Sequence, residues 1–457
     1  MKVRVIGGGL AGCEAAWQLA NAGFDVELCE QKPTQRTPAQ TSDRLAELVC
    51  SNSFRSSNIE NAVGLLKEEM RRTGSFLMAC AEVARVPAGD ALAVDRAVFA
   101  DTVESRLRAH PRISIRAGEV VRLPQDDVPT LVATGPLTSD ALAADIARVA
   151  GRDRLAFYDA IAPIIEADSI ILDDEDLENG AYFLSRWGKG DGSDYLNCPL
   201  DKPQYEAFLQ GLLVADQVTK KEFEDLHYFE GCLPLEVMAE RGPETLRFGP
   251  MKPVGLEHPT TKKRPWAVLQ LRKEDVHGTA YNLVGCQTRL KQPAQKEVFG
   301  LIPALREARF LRFGAIHRNT YLDAPTLLDE HNRLAHKWYF AGQITGVEGY
   351  VESTASGLLT AIVMIDALAG REVDIPPATT ALGGLWRHCR GTLRAEGNTE
   401  YSPSNVTWSM LPPSDGAVVV TPNGKKRKLG KQERRAQAAE RALADLEGWL
   451  ARRASRG

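Results

Sequence analysis

The residues at the start of the chain whose type and spacing can do chemistry are a glycine cluster and one acid. Gly7, Gly8, Gly9, Leu10, Ala11 and Gly12 fit the pattern G-x-G-x-x-G, and Glu30 follows Gly12 by 18 residues. In this pattern Gly7 permits a tight turn, Gly9 lets the backbone approach a pyrophosphate, and Gly12 lets a helix pack closely on a strand. Free N–H groups and the dipole at the helix start favour the anion. A carboxylate at Glu30 accepts hydrogen bonds from a ribose hydroxyl and repels an additional 2′-phosphate. The motif alone serves FAD and NAD equally. The other reactive side chains are dispersed. The eight cysteines (Cys13, Cys29, Cys50, Cys80, Cys198, Cys232, Cys286, Cys389) contain no C-x-x-C pair, and the eight histidines no H-x-x-x-H. This spacing predicts no metal site and no redox pair, and it suits a reducing cytoplasm.

The elements that must hold these residues are legible around them. Lys2-Val-Arg-Val-Ile6 reads as a buried strand, residues 13–22 as a helix stopped by Gly23, and residues 24–29 as a second strand. Two later segments favour FAD. Leu131-Val-Ala-Thr-Gly135 is a strand ending in Ala-Thr-Gly, a crossover mark of two-dinucleotide-fold flavoproteins. Trp338-Tyr-Phe-Ala-Gly-Gln343 is an apolar strand followed by a glycine-punctuated loop and a helix over residues 355–368. The flavin fold is therefore split, its last strand far from its first. The expected architecture is α/β: a Rossmann-type, glutathione-reductase-like FAD-binding domain (residues 1–160 and 326–375). It is interrupted by a mixed α/β insertion domain (161–325) and followed by a C-terminal segment with a basic helix (376–457). Residues 33–46 read as a mobile loop near the cofactor, and residues 47–55 as a site loop.

At 457 residues, 44% hydrophobic and 25% charged, the chain has the length of two or three domains with sizeable cores. No apolar run approaches the ~18 residues of a membrane span. The short apolar start runs at once into the glycine turn, unlike a secretory signal.

Longer strings carry a resemblance. They include Gly7-Gly-Gly-Leu-Ala-Gly-Cys-Glu-Ala-Ala-Trp17, Leu48-Val-Cys-Ser-Asn-Ser53, Phe157-Tyr-Asp-Ala-Ile-Ala-Pro163, Phe229-Glu-Gly-Cys-Leu-Pro234, Gly314-Ala-Ile-His-Arg-Asn-Thr320 and Gly342-Gln-Ile-Thr-Gly-Val-Glu-Gly-Tyr350. Over nearly its whole length the chain resembles the bacterial folate- and FAD-dependent tRNA (uracil-5-)-methyltransferases. The resemblance implies methylation of the T-loop uridine at tRNA position 54. The one-carbon unit would come from 5,10-methylenetetrahydrofolate, and the electrons from NAD(P)H through FAD. Carbon 5 of uracil is a poor nucleophile until a thiolate adds to carbon 6, so a cysteine is needed. The resemblance points to Cys232 as that nucleophile and to Cys50 as the group handling the tRNA adduct or the carbon-5 proton, with the roles open to exchange. Gly342, Gln343, Gly346 and Tyr350 are expected on the flavin side, Tyr350 as a candidate stacking ring. The partner is the tRNA T-arm, with no membrane and no obligatory protein partner. Two other readings remain: a wobble-uridine-modifying flavoprotein, whose longer chain carries a helical extension, and a non-catalytic tRNA-binding flavoprotein.

The net charge of −4 hides an asymmetry. Residues 421–457 hold 11 Lys and Arg against four acids, a net of +7, which leaves −11 on the rest. Ala439, Leu443, Leu446 and Leu450 form one apolar stripe at helical spacing, so this helix is expected to dock. Its basic start, with Lys425, Lys426, Arg427 and Lys428, is then a candidate RNA phosphate contact.

Overall fold

The computed structural model describes residues 1–37, 39–151, 157–172, 180–186, 195–217, 233–273, 278–393, 401, 403–412, 418–420, 426–428 and 430–456. Cys232 and Lys425 lie outside the described residues.

Val3, Val5 and Ile6 are buried, and Lys2–Ile6 is an inner strand of a six-stranded sheet. It pairs in parallel with Asp25–Glu30 on one side and Thr130–Val132 on the other. Ile113–Ala117 lies beyond Asp25–Glu30. Trp338–Phe340 pairs in parallel with Thr130–Val132, bringing a strand from late in the chain into the same sheet as the first, with Thr130–Val132 between them. Arg333–Leu334 forms the antiparallel edge. Helices pack on this sheet, among them Leu10–Asn21 and Tyr350–Leu368, whose apolar residues share one core with Val3, Val5, Val26 and Leu28. The helices Leu10–Asn21 and Tyr350–Leu368 cross where a side chain on Gly357 would overlap the Ala11 backbone.

Two differences from the sequence expectation matter here. The late helix starts at Tyr350, not at residue 355, so Tyr350 stands in its first turn. By length and composition alone this 19-residue helix could cross a membrane, contrary to the apolar-run reading, but most of it is buried inside the protein. It is a core helix of the parallel-sheet layer.

A second sheet of six strands is antiparallel. Its order is Tyr182–Phe183, Tyr195–Leu200, Ala267–Lys273, Ala280–Leu283, Ile164–Glu166 and Phe310–Arg312. It has its own core, in which Leu196, Leu200, Phe208, Leu269, Leu271 and Phe299 pack together. The chain passes between the two sheets along a two-stranded ribbon, Phe157–Ile161 against Ala315–Asn319.

The C-terminal helix Lys431–Arg456 docks on the first layer through Ala439, Ala442, Leu446 and Trp449, all fully buried, with Leu443 and Leu450 at the edge of the contact. Docking follows the expected stripe only in part: Ala439 and Leu446 lie at its centre, but Leu443 and Leu450 stay at the edge, and Ala442 and Trp449, not on that stripe, join the buried face. The basic segment does not follow the expected helix: Lys426–Lys428 is a strand paired with Val418–Val420.

Candidate active site

The glycine turn sits at the carboxyl end of the strand Lys2–Ile6, where a parallel sheet opens to a ligand. The helix after it has no side-chain cap at Gly9, and a Cβ on Gly9 would meet nothing within 4 Å. Its first N–H groups therefore face open space, as an anion requires. Glu30 is buried with both oxygens engaged. Oε2 accepts from the Gly8 N–H at 2.7 Å and Oε1 from the Lys32 N–H at 3.0 Å. One acid thus fixes the glycine turn and the end of the neighbouring strand.

The turn floors a cleft that is open to solvent. Gly7, Gly9, Leu10, Ala11, Glu30, Gly135, Gly342, Gln343 and Tyr350 all line it, with Thr134, Thr138 and Ser139 on one wall. The lining glycines, the uncapped helix start and the buried acid together fit an FAD molecule. Gly8, Gly12 and Gly346 do not line the cleft. Gly8 is held against Glu30, and Gly12 packs under the turn against the Gly7 carbonyl. Gly346, at φ +82, makes room for the Tyr401 ring, whose hydroxyl donates to the Thr345 carbonyl at 2.7 Å.

The polar loop expected to be mobile is stitched down. Glu47 Oε1 accepts from Thr41 N at 2.7 Å, Thr41 Oγ1 at 3.0 Å and Ser42 N at 3.0 Å. Glu47 Oε2 pairs with buried Lys32 at 3.0 Å. No period or motif announces this, because the partners are scattered.

Beyond Glu47 lies Cys50. Of the seven described cysteines it alone is not buried. Burial pushes the Cys80 thiol up to about 12 and that of Cys389 to about 11, and it raises Cys13, Cys29, Cys198 and Cys286 as well. Those thiols stay protonated and inert. The Cys50 backbone is gripped from several directions. Tyr350 Oη accepts from the N–H of Cys50 at 2.6 Å and of Ser51 at 3.0 Å. The Cys50 carbonyl accepts from Arg312 Nη2 at 3.1 Å and Arg96 Nη2 at 3.4 Å, and Arg96 Nη1 also donates to Leu48 O at 2.8 Å. Asn52 ties the loop to the second sheet, donating to Lys273 O at 2.7 Å and accepting from Arg272 Nε at 2.9 Å. The loop thus lies at the seam of the two sheets. Arg96, Arg312 and the tie through Asn52 were not read from the sequence; only the unusual string around Cys50 marked the place.

A parallel sheet with a glycine turn, an acid closing the next strand and a strand returned from late in the chain define a Rossmann-type FAD-binding protein. The profile of the glucose inhibited division protein A family matches residues 2–372, and the chain belongs to that family, within its TrmFO group. It is 55% identical over 452 residues to the methylenetetrahydrofolate--tRNA-(uracil-5-)-methyltransferase TrmFO of Anaeromyxobacter sp. strain Fw109-5, covering 98% of this chain and 96% of the relative. It is 53% identical to the protein of the same name from Rhodospirillum rubrum, covering 98% of this chain and 92% of that one. Among solved structures, Aquifex aeolicus GidA superposes with a TM-score of 0.66 at 15% identity, covering 98% of this chain and 73% of that one, which shows the shared fold.

Proposed function

We propose that this protein methylates carbon 5 of the uridine at position 54 in the T-loop of tRNA, acting in the cytoplasm without an obligatory protein partner. The one-carbon donor is 5,10-methylenetetrahydrofolate, and NAD(P)H supplies the electrons. The FAD-binding part comprises residues 1–160 and 326–375, with residues 161–325 inserted and residues 376–457 as a tail. The observation that carries the reading is Cys50: the one unburied thiol among the described cysteines, fixed at the seam beside the flavin cleft.

When bound between the glycine turn and the Gly342–Tyr350 side, FAD supplies the two-electron chemistry that brings the one-carbon unit to the methyl level. The chain's own residues do the rest. Cys232 thiolate adds to carbon 6 of uracil, forming a C–S bond and moving an electron pair to carbon 5, which bonds the one-carbon unit while that carbon is still attached to its carrier nitrogen. Cys50 thiolate then takes the carbon-5 proton. The electron pair left behind breaks the bond between the one-carbon unit and its carrier nitrogen, which leaves with the pair; once a hydride, the two electrons FAD would supply, has made that carbon a methyl group, the regenerated enolate reforms the ring double bond and expels Cys232.

Two measurements test this. Tritium release from tRNA labelled at uridine carbon 5 is expected with methylenetetrahydrofolate and NAD(P)H; no release with any donor combination would leave a non-catalytic flavoprotein. With 5-fluorouracil-containing T-arm RNA, Cys232→Ala is expected to lose the covalent adduct and Cys50→Ala to keep it; the opposite pattern exchanges the roles. The basic residues Lys425, Lys426, Arg427 and Lys428 are proposed to contact RNA phosphates. Neutralising them should raise the tRNA Kd and flatten its salt dependence, whereas an unchanged salt slope marks a solvated charge run.

A further inference from the structure

Tyr350 touches two parts of the molecule at once. Its side chain lines the flavin cleft, and its hydroxyl accepts both amides of the Cys50 turn. Its ring leans on Phe54 with centroids 5.9 Å apart. Burial pushes its hydroxyl far above the ordinary phenol range, so the oxygen stays a neutral acceptor with two lone pairs for two N–H groups. The peptide plane joining Cys50 to Ser51 is then pinned at both ends: its N–H by Tyr350 and its carbonyl by Arg312 and Arg96. The N–H of Cys50 is held by the same phenol. With both flanking peptides fixed, the Cα–Cβ bond of Cys50 is held in a set direction. Asn52 clamps the next residue to the second sheet.

We propose that Tyr350 is the positioning residue of Cys50, aiming its thiol through two amide hydrogen bonds while the same side chain forms part of the flavin cleft. The inference rests on the proposed role of Cys50. It assigns the Tyr350 hydroxyl a task distinct from ring stacking on the flavin, and it separates the two in one substitution.

Tyr350→Phe keeps the ring and removes the acceptor; Tyr350→Leu removes both. The expected result is that Tyr350→Phe purifies with its FAD, while kcat for tritium release falls about 10–100-fold, as a misplaced reacting group predicts, with KM for tRNA unchanged. The pH profile of iodoacetamide alkylation at the Cys50 peptide, read by mass spectrometry, is expected to shift in the same variant. Arg312→Met, which frees the other end of the peptide plane, should shift that profile too. Should Tyr350→Phe match the wild type in both kcat and alkylation profile while Tyr350→Leu loses flavin, the ring alone matters and the proposal is overturned. If the wild-type protein releases no tritium, the methyltransferase reading fails. The alkylation contrast between wild type and Tyr350→Phe still decides the positioning role in that case.

Discussion

At the scale of single residues, the most informative side chain is the one most easily read from sequence. Glu30 is found by counting from a glycine pattern, because the two elements it joins are neighbours along the chain. Its two oxygens meet two backbone donors, Gly8 and Lys32. Glu30→Gln presents one oxygen and one NH₂ group to two N–H donors, so one donor goes unpaired. A lost hydrogen bond to a charged group is worth about 1.5–3 kcal/mol. FAD affinity is therefore expected to fall about 10–100-fold, read by titrating flavin into the apoprotein and by the flavin-to-protein absorbance ratio after purification. Unchanged flavin loading would show that the acid shapes the turn without affecting the cofactor. Cys50 illustrates the opposite limit. Its loop was marked by an unusual string, but Arg96 and Arg312 reach it from 46 and 262 residues away, and no spacing rule links them.

Elements were legible where local pattern and tertiary packing agree. The opening strand–turn–helix–strand and the late strand at Trp338–Phe340 are such cases. The helix from Tyr350 is not: its first turn, Tyr-Val-Glu-Ser-Thr, is poor in helix formers, and its start is set by the glycine turn and by packing on Leu10–Asn21. A second tertiary override lies under the strand Ser53–Ser56. Lys67, on the helix Ala62–Arg72, is fully buried, and its Nζ donates to Phe54 O at 2.9 Å and Arg55 O at 2.7 Å. Burial, assisted by the nearby charges of Arg71 and Arg55, brings its pKa down from 10.5 to about 7. Between those two values the unfolded chain holds the proton and the folded chain does not. Stability therefore rises with pH through that window and is lost again as pH falls through about 7. Lys67→Met is expected to flatten this dependence. It should also cost about 1–3 kcal/mol at pH 9, because two carbonyls lose their donor. Urea unfolding at pH 6.5, 8 and 9.5 checks both; a wild-type midpoint that does not change over this range would refute the neutral lysine.

At the scale of the whole molecule, the sequence showed an acidic body with one basic end, and the docking stripe showed in part how the end attaches. It could not show that Lys426–Lys428 pairs as a strand, because a short run of charges has no period of its own. The attachment itself is apolar at the centre and ionic at the rim. Trp449 is fully buried, its indole N–H donates to Asp374 O at 3.3 Å, and Arg453 lies over its ring. Arg453 also pairs with Asp366 at 2.6 Å. Burial works against charge on Asp366, but Arg453 and Arg371 outweigh it and hold the carboxyl below its usual range. This contribution is present at neutral pH and is lost as pH falls through the lowered value. The exposed pair between Arg72 and Glu447 adds little. Trp449 therefore dominates the dock. Trp449→Ala removes a large ring from a cluster that also contains the helices over the flavin sheet, and such a change costs about 3–5 kcal/mol. The expected outcome is a lower Tm and faster proteolysis near the start of the last helix, with FAD still bound at low temperature because, among the described residues, none of the tail lines the cleft. If the tail presents a phosphate-binding surface, the same variant should also bind tRNA more weakly with a flatter salt dependence. Weaker folding with an unchanged tRNA Kd would instead make the C-terminal helix a structural brace alone.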